Sequence, residues 1–283
     1  MEIQILAIPY DSGNRGVRMG AGPEALLDAG LAQALRDNGH RVHVKIAELP
    51  RSSWHAEIQT GFELMRMVSA AVREARDSNR LPIVVAGNCN TSVGTVAGLG
   101  ADSVGVIWFD AHADFNTPET TTSGFLDGTA VATLTGRCWT QLAATVPGFK
   151  PISDSRVCLV GTRDIDALER ELVDQSNVRV VAPPQLRSVL RQALNSMNEH
   201  VEQAYIHLDL DVLDSDVATA NNFAVAGGLT LDDMDYAFSQ IGAVLRISGV
   251  SLTAYDPTAD RNSAAATAAI HLVSTAATLA SQA

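Results

Sequence analysis

Eight short apolar runs punctuate this chain, at residues 3–8, 42–46, 83–86, 104–109, 157–160, 178–181, 204–208 and 249–253. Longer stretches of helical period lie between them, near residues 24–37, 56–76, 166–174, 184–198, 232–244 and 264–279. Strand alternating with helix reads as an α/β fold, a parallel sheet with helices on both faces. Most of the runs are apolar rather than polar at every second residue, as strands buried on both faces require, and burial on both faces is expected of all of them. No Ser/Gly/Pro-rich linker, low-complexity tract or repeat interrupts the pattern, so one domain spanning residues 1–283 is expected.

Two acidic clusters follow such runs directly. Asp110-Ala111-His112-Ala113-Asp114 comes after the run ending at Phe109, and Asp209-Leu210-Asp211 after the run ending at Leu208. Residues two apart in a strand point to one face, so Asp110, His112 and Asp114 are expected to converge at a strand end. A single DxD there is commonly a solvated turn. Two of them, one with a histidine, argue for a metal centre able to hold two ions. Carboxylate oxygens with a little imidazole favour manganese over zinc or softer metals. The loop Gly87-Asn88-Cys89-Asn90 also follows an apolar run. In open parallel sheets ligands bind beyond the carboxyl ends of strands, so all three segments are expected to share one crevice.

Charge narrows the partners. With 32 acidic against 20 basic side chains the net charge is −12, which disfavours nucleic acid and anionic membranes, since both need basic patches. The start of the chain lacks a basic segment followed by a long apolar one, and no window approaches the roughly 20 apolar residues of a membrane span. Three cysteines without a spacing motif fit a reducing compartment, and a cytoplasmic location is expected. A small-molecule partner follows, and assembly into a homo-oligomer stays open.

Along nearly its whole length, from Gly16-Val17 and Gly22-Pro23 to Asp256-Pro257, the sequence resembles the ureohydrolases, the superfamily of arginases and agmatinases. Asp110-Ala111-His112-Ala113-Asp114 matches their DAHxD motif, and Asp209-Leu210-Asp211-Val212-Leu213-Asp214 matches DxDxxD. The resemblance implies a three-layer α/β/α fold with an eight-stranded, mostly parallel sheet. It implies two Mn2+ ions per subunit, held by Cys89, Asp110, His112, Asp114, Asp209 and Asp211, and a guanidino substrate. Asp114 would also orient the attacking water. The segment Asn116-Thr117-Pro118-Glu119-Thr120-Thr121-Thr122-Ser123-Gly124 is similar to the arginase loop that holds an α-carboxylate, which would fall to Asn116, Thr121 and Ser123. Thr162-Arg163-Asp164-Ile165-Asp166-Ala167-Leu168-Glu169 resembles the segment receiving the α-amino group, here through Asp166 and Glu169.

The departures have a pattern of their own. Where the superfamily has GGDHS with a metal-binding His, this chain has Ala86-Gly87-Asn88-Cys89-Asn90. Asp127 stands where arginases have a proton-shuttling His, Ala254 where they have the Glu that anchors the guanidinium, and Phe223 where a Thr lines the cleft. The Cys replacement, together with residues 114–121, resembles the branch that hydrolyses Nω-hydroxy-L-arginine in D-cycloserine biosynthesis. That branch would release ornithine and hydroxyurea; the alternatives are a ureohydrolase acting on another guanidino acid and a degenerate, non-catalytic family member.

Overall fold

The computed structural model describes residues 1–50 and 56–282. Its strands are β1 (Glu2–Ile8), β2 (Arg41–Ile46), β3 (Leu81–Ala86), β4 (Val104–Phe109), β5 (Val157–Val160), β6 (Arg179–Val181), β7 (Gln203–Asp209) and β8 (Arg246–Thr253). They form one sheet in the order β2-β1-β3-β8-β7-β4-β5-β6, every pair parallel. The helices are α1 (Gly22–Asp28), α2 (Leu31–Asp37), α3 (Glu57–Asp77), α4 (Ser92–Leu99), α5 (Ala130–Leu134), α6 (Thr140–Ala143), α7 (Ala167–Asp174), α8 (Leu186–Asn198), α9 (Leu231–Gly242) and α10 (Ala264–Gln282). A two-stranded antiparallel ribbon, Tyr10–Asp11 with Asn14–Arg15, follows β1.

The period of two along each strand builds the three layers. Ile3, Ile5, Ile83 and Val85 face one way and pack with Leu26, Leu35, Leu190, Phe238 and Leu272 of α1, α2, α8, α9 and α10. Leu6, Ile8, Val84 and Ala86 face the other way, against Phe62 and Val68 of α3, Val96 of α4 and Val131 of α5. Each such side chain, taken from water, stabilises the fold by about 1.5–3 kcal/mol before entropy is counted.

Two expectations need correction, and one helix gave no signal in the sequence. The strand at 42–46 is not buried on both faces: β2 is one of the two sheet edges, and Val44 and Ile46 remain 41% and 42% exposed. Arg41 and Lys45 charge this edge, which discourages pairing with another chain. The helical stretch at 24–37 is two helices, because Gly30 turns the backbone left-handed at φ +101° between α1 and α2. Helix α4 carries no helical period, because all eight of its residues are buried. It lies so close to α3 that a side chain at Gly94 would collide with the Met65 carbonyl.

Helix α10 is the one described helix long and apolar enough, by length and composition alone, to cross a membrane. Here it lies on the sheet, with eight residues from Ala265 to Ala277 buried against α1, α2, α9 and β8.

Candidate metal centre and substrate cleft

Strands β3, β8, β7 and β4 are consecutive neighbours, so the loops leaving their carboxyl ends meet. They frame a cleft of about 220 Å3 lined by all twelve residues singled out from the sequence as candidate site residues. Eight carboxylates line it (Asp110, Asp114, Asp127, Asp164, Asp166, Glu169, Asp209 and Asp211), and no Lys or Arg among the described residues does.

The convergence does not arise from strand alternation. Strand β4 stops at Phe109, and Asp110 to Asp114 form a loop. Each acidic cluster uses the same local turn instead. Asp110 Oδ1 accepts the His112 N–H at 2.7 Å, and Asp209 Oδ1 accepts the Asp211 N–H at 2.8 Å. An Asp that bonds the backbone two residues on folds the chain back, which frees the second side chain for the cleft. Asp114 then takes a left-handed backbone, φ +49°, pinned by its carbonyl accepting from Val131 N–H at 2.8 Å. Such strain in a residue with a Cβ persists only where surroundings over-determine it.

Two groupings of ligand atoms result, each with all atoms within 4.8 Å of one another: Asp110, His112 and Asp211, and Cys89, Asp110 and His207. His112 Nδ1 lies 3.3 Å from Asp110 Oδ1 and 3.4 Å from Asp211 Oδ2. Cys89 Sγ donates to Asp209 Oδ2 at 3.1 Å. Asp114 Oδ2 is buried and has no hydrogen-bond partner. Asp214, the last acid of its motif, lies outside the cleft and staples a loop by accepting from Gly227 and Gly228 N–H at 2.7 and 2.9 Å.

The electrostatics mark a place short of positive charge. Burial, then Asp211, pushes Asp110 up to about 6. Burial and neighbouring carboxylates raise Asp114, Asp209 and Cys89 well above their ordinary ranges. Burial opposes a charge on His112, yet the bonds and charges of Asp110 and Asp211 outweigh it and hold the ring up to about 12. Crowded carboxylates recruit protons wherever no other cation neutralises them. A donor set of four carboxylates, one imidazole and one thiol, with a buried oxygen left unpartnered, fits divalent cations.

Sequence reasoning missed three supporting residues. Trp108 donates its indole N–H to Asp110 Oδ2 at 3.0 Å. His207, fully buried, stacks on Trp108 with centroids 3.4 Å apart. Burial pushes its pKa well below the ordinary value. Arg163 gathers backbone carbonyls at the ligand loops: Gly161 and Val212 from Nη1, Asp211, Leu213 and Val225 from Nη2, and Ala226 from Nε.

On the open side of the cleft, Asn116 is buried and accepts from the Thr120 hydroxyl at 2.9 Å. The Thr121 and Ser123 hydroxyls lie 3.4 Å apart at the mouth. Asp166 is exposed there and caps α7, its box completed by Glu169. Glu169 is buried, and its two oxygens accept from Phe115 N–H at 2.7 Å and Asp166 N–H at 3.3 Å. Asp127 accepts from Asn90 N–H at 2.7 Å and Asn88 Nδ2 at 2.8 Å, and burial pushes it up to about 7. Phe125 and Phe223 stack at the rim, centroids 6.0 Å apart. Ala254 lines the cleft in a left-handed conformation, φ +62°.

Residues 1–278 match the model of the arginase family. The chain belongs to the arginase family. It is 27% identical over 296 residues to the arginase of Bacillus caldovelox, covering 96% of each chain. It is 28% identical over 298 residues to that of Brucella melitensis biotype 1, covering 96% of this chain and 95% of the relative. The crystal structure of the arginase from Bacillus subtilis subsp. subtilis str. 168 superposes with a TM-score of 0.88 at 25% identity, covering 98% of each chain. As a family member the protein is a metal-binding hydrolase of guanidino compounds that cleaves C–N bonds in linear amidines.

Proposed function

We propose that this arginase-family hydrolase acts on an arginine-like α-amino acid and prefers an N-hydroxyguanidino group, as in Nω-hydroxy-L-arginine, to a plain guanidino group. The observation that carries the preference is Ala254: it lines the cleft and offers only a methyl group, and by the resemblance to arginases it stands where they have the guanidinium-anchoring Glu. An N-hydroxyguanidine is less basic than a guanidine and can enter neutral, so it loses less when that counter-charge is missing.

Cys89, Asp110, His112, Asp114, Asp209 and Asp211 are the residues that would hold two Mn2+ ions. When bound, the ions supply Lewis acidity and acidify water toward neutrality. The chain's own groups do the rest. Asp114 Oδ2, buried with no partner, is an acceptor able to orient a water. Asp127, held by Asn88 and Asn90, keeps a proton near neutral pH and can give it to the departing nitrogen. Asn116, Thr121 and Ser123 suit an α-carboxylate. Asp166, exposed at the mouth, suits the α-ammonium. Glu169 spends its oxygens on backbone N–H groups, so it serves the ammonium chiefly by fixing Asp166.

The test is the ratio of kcat/KM for Nω-hydroxy-L-arginine to that for L-arginine, in the native protein and in Ala254→Glu. A carboxylate about 4 Å from a guanidinium, at an effective dielectric near 20, attracts it by about 4 kcal/mol before desolvation. A net of 1–2 kcal/mol moves the ratio roughly 5- to 30-fold toward arginine. The left-handed backbone already carries a Cβ, so the variant adds no new backbone strain there. A native ratio at or below one defeats the preference, and an unmoved ratio in the variant defeats the charge argument.

A further inference from the structure

A line of buried polar side chains runs beneath the cleft, through the core between β7, β8 and α4. Tyr205 donates its hydroxyl to Ser92 Oγ at 2.7 Å, and Ser92 Oγ lies 2.8 Å from His207 Nδ1. His207 Nε2 lies 3.4 Å from Thr253 Oγ1, which lies 3.2 Å from Cys89 Sγ. All five residues are buried.

The direction of the chain follows from counting protons. Ser92 receives from Tyr205, and the other group its side chain meets among the described residues is His207 Nδ1. Its own proton therefore goes to Nδ1. With Nδ1 accepting from Ser92, the ring N–H is on Nε2 and faces Thr253. The Thr253 hydroxyl accepts there and has two acceptors to choose from, Cys89 Sγ at 3.2 Å and Leu208 O at 3.4 Å. The sulfur is nearer, and its own proton already points away to Asp209 Oδ2. Each member thus donates toward the sulfur. Direct ligation of a metal by His207 Nε2 would need the opposite tautomer, and Ser92 would then lose its acceptor.

We propose that Thr253 and His207 are positioning residues for Cys89, ending a hydrogen-bond chain that donates into the sulfur and sets it as a metal ligand in an oxygen-rich centre. The inference rests on the metal centre proposed above and names what holds its unusual donor. Hydrogen bonds into a ligating sulfur draw electron density from it, so it donates less to the ion. A softened thiolate resembles the carboxylates around it, which suits an ion that prefers oxygen. Trp108, stacked on His207 and bonded to Asp110, ties the orientation of this chain to a carboxylate of the same centre.

The experiment adds Co2+ to the full-length metal-free protein and records the absorption spectrum. The native protein should show visible ligand-field bands together with a near-ultraviolet sulfur-to-cobalt charge-transfer band, and Cys89→Ser should lose only the latter. Thr253→Val, close to isosteric, should shift the charge-transfer band to longer wavelength, because a sulfur without its donor gives up electrons more readily. Thr253→Ser should restore it. His207→Phe, which keeps a ring against Trp108, should shift it the same way. A native spectrum with ligand-field bands and no sulfur band overturns this inference and leaves the metal centre standing. No cobalt bands at all would sink the metal centre itself, and this inference with it. A sulfur band that stays put in Thr253→Val also overturns the proposal, whether or not His207→Phe folds.

Discussion

Arg163→Met removes a guanidinium that reaches six backbone carbonyls around the second ligand loop. Three of these bonds are 3.0 Å or shorter: Val225 O at 2.6 Å, Asp211 O at 2.9 Å and Gly161 O at 3.0 Å. A bond from a charged donor contributes at least about 1.5 kcal/mol net when buried. Three give about 4.5 kcal/mol, and partial solvent access to Arg163 lowers the expected loss to roughly 3 kcal/mol. That is a large part of the 5–15 kcal/mol that typically stabilises a domain. Freed from the clasp, Asp211 also loses its fixed approach to His112. Metal affinity should fall by roughly tenfold, the usual scale when a group that orients a ligand is lost. Arg163→Lys keeps the charge but cannot fork between carbonyls, so it should fall between the two. Urea denaturation of the metal-free protein reads the first quantity, and calorimetric Mn2+ titration the second. A stability loss below about 1 kcal/mol with native Mn2+ affinity would refute the reasoning.

Gly94→Ala should destabilise by about 1–3 kcal/mol, because the new methyl meets the Met65 backbone and must push α4 from α3; a variant as stable as native in urea would mean the helices separate freely. Glu169 provides a pH-dependent check. Burial raises its pKa from 4.5 to about 7, so the fold favours the protonated form. Its contribution is complete below pH 4.5 and is lost as pH rises through about 7. Native stability relative to Glu169→Gln should therefore decline by about 3 kcal/mol between pH 4.5 and 8, and a constant difference would contradict the assigned environment.

The sheet was legible because most of its strands are compact apolar runs, and the cleft because acidic residues follow two of those runs directly. The route by which Asp110, His112 and Asp114 converge was not legible: β4 ends one residue before the motif, and a side-chain turn takes over. Helix α4 escaped notice because burial on every side leaves no period to read. His207 and Trp108 had a signal that strand alternation supplies. Each stands two residues before a candidate ligand, Asp209 or Asp110, and so shares its face. What the sequence lacked was adjacency: only the strand order brings β7 beside β4 and stacks the two rings. Arg163 was hidden for a similar reason, since its partners are backbone carbonyls whose positions exist only after folding.

The clustering of ligand atoms from β3, β4 and β7 bears on how the centre comes into being. Cys89 and Asp209 are 120 residues apart in sequence, and the Ala111–Asp211 contact spans 100. Parallel pairings over such separations form slowly, because chain-closure entropy must be overcome before the contacts reward it. An unfolded chain holds no preformed pocket for an ion, so the metal cannot nucleate this fold and can recognise only a nearly finished sheet. Its kinetic influence then belongs to the reverse direction. An ion held by the proposed ligands would join segments that must part before the central strands can separate, and so would act as a brake on unfolding rather than a guide to folding.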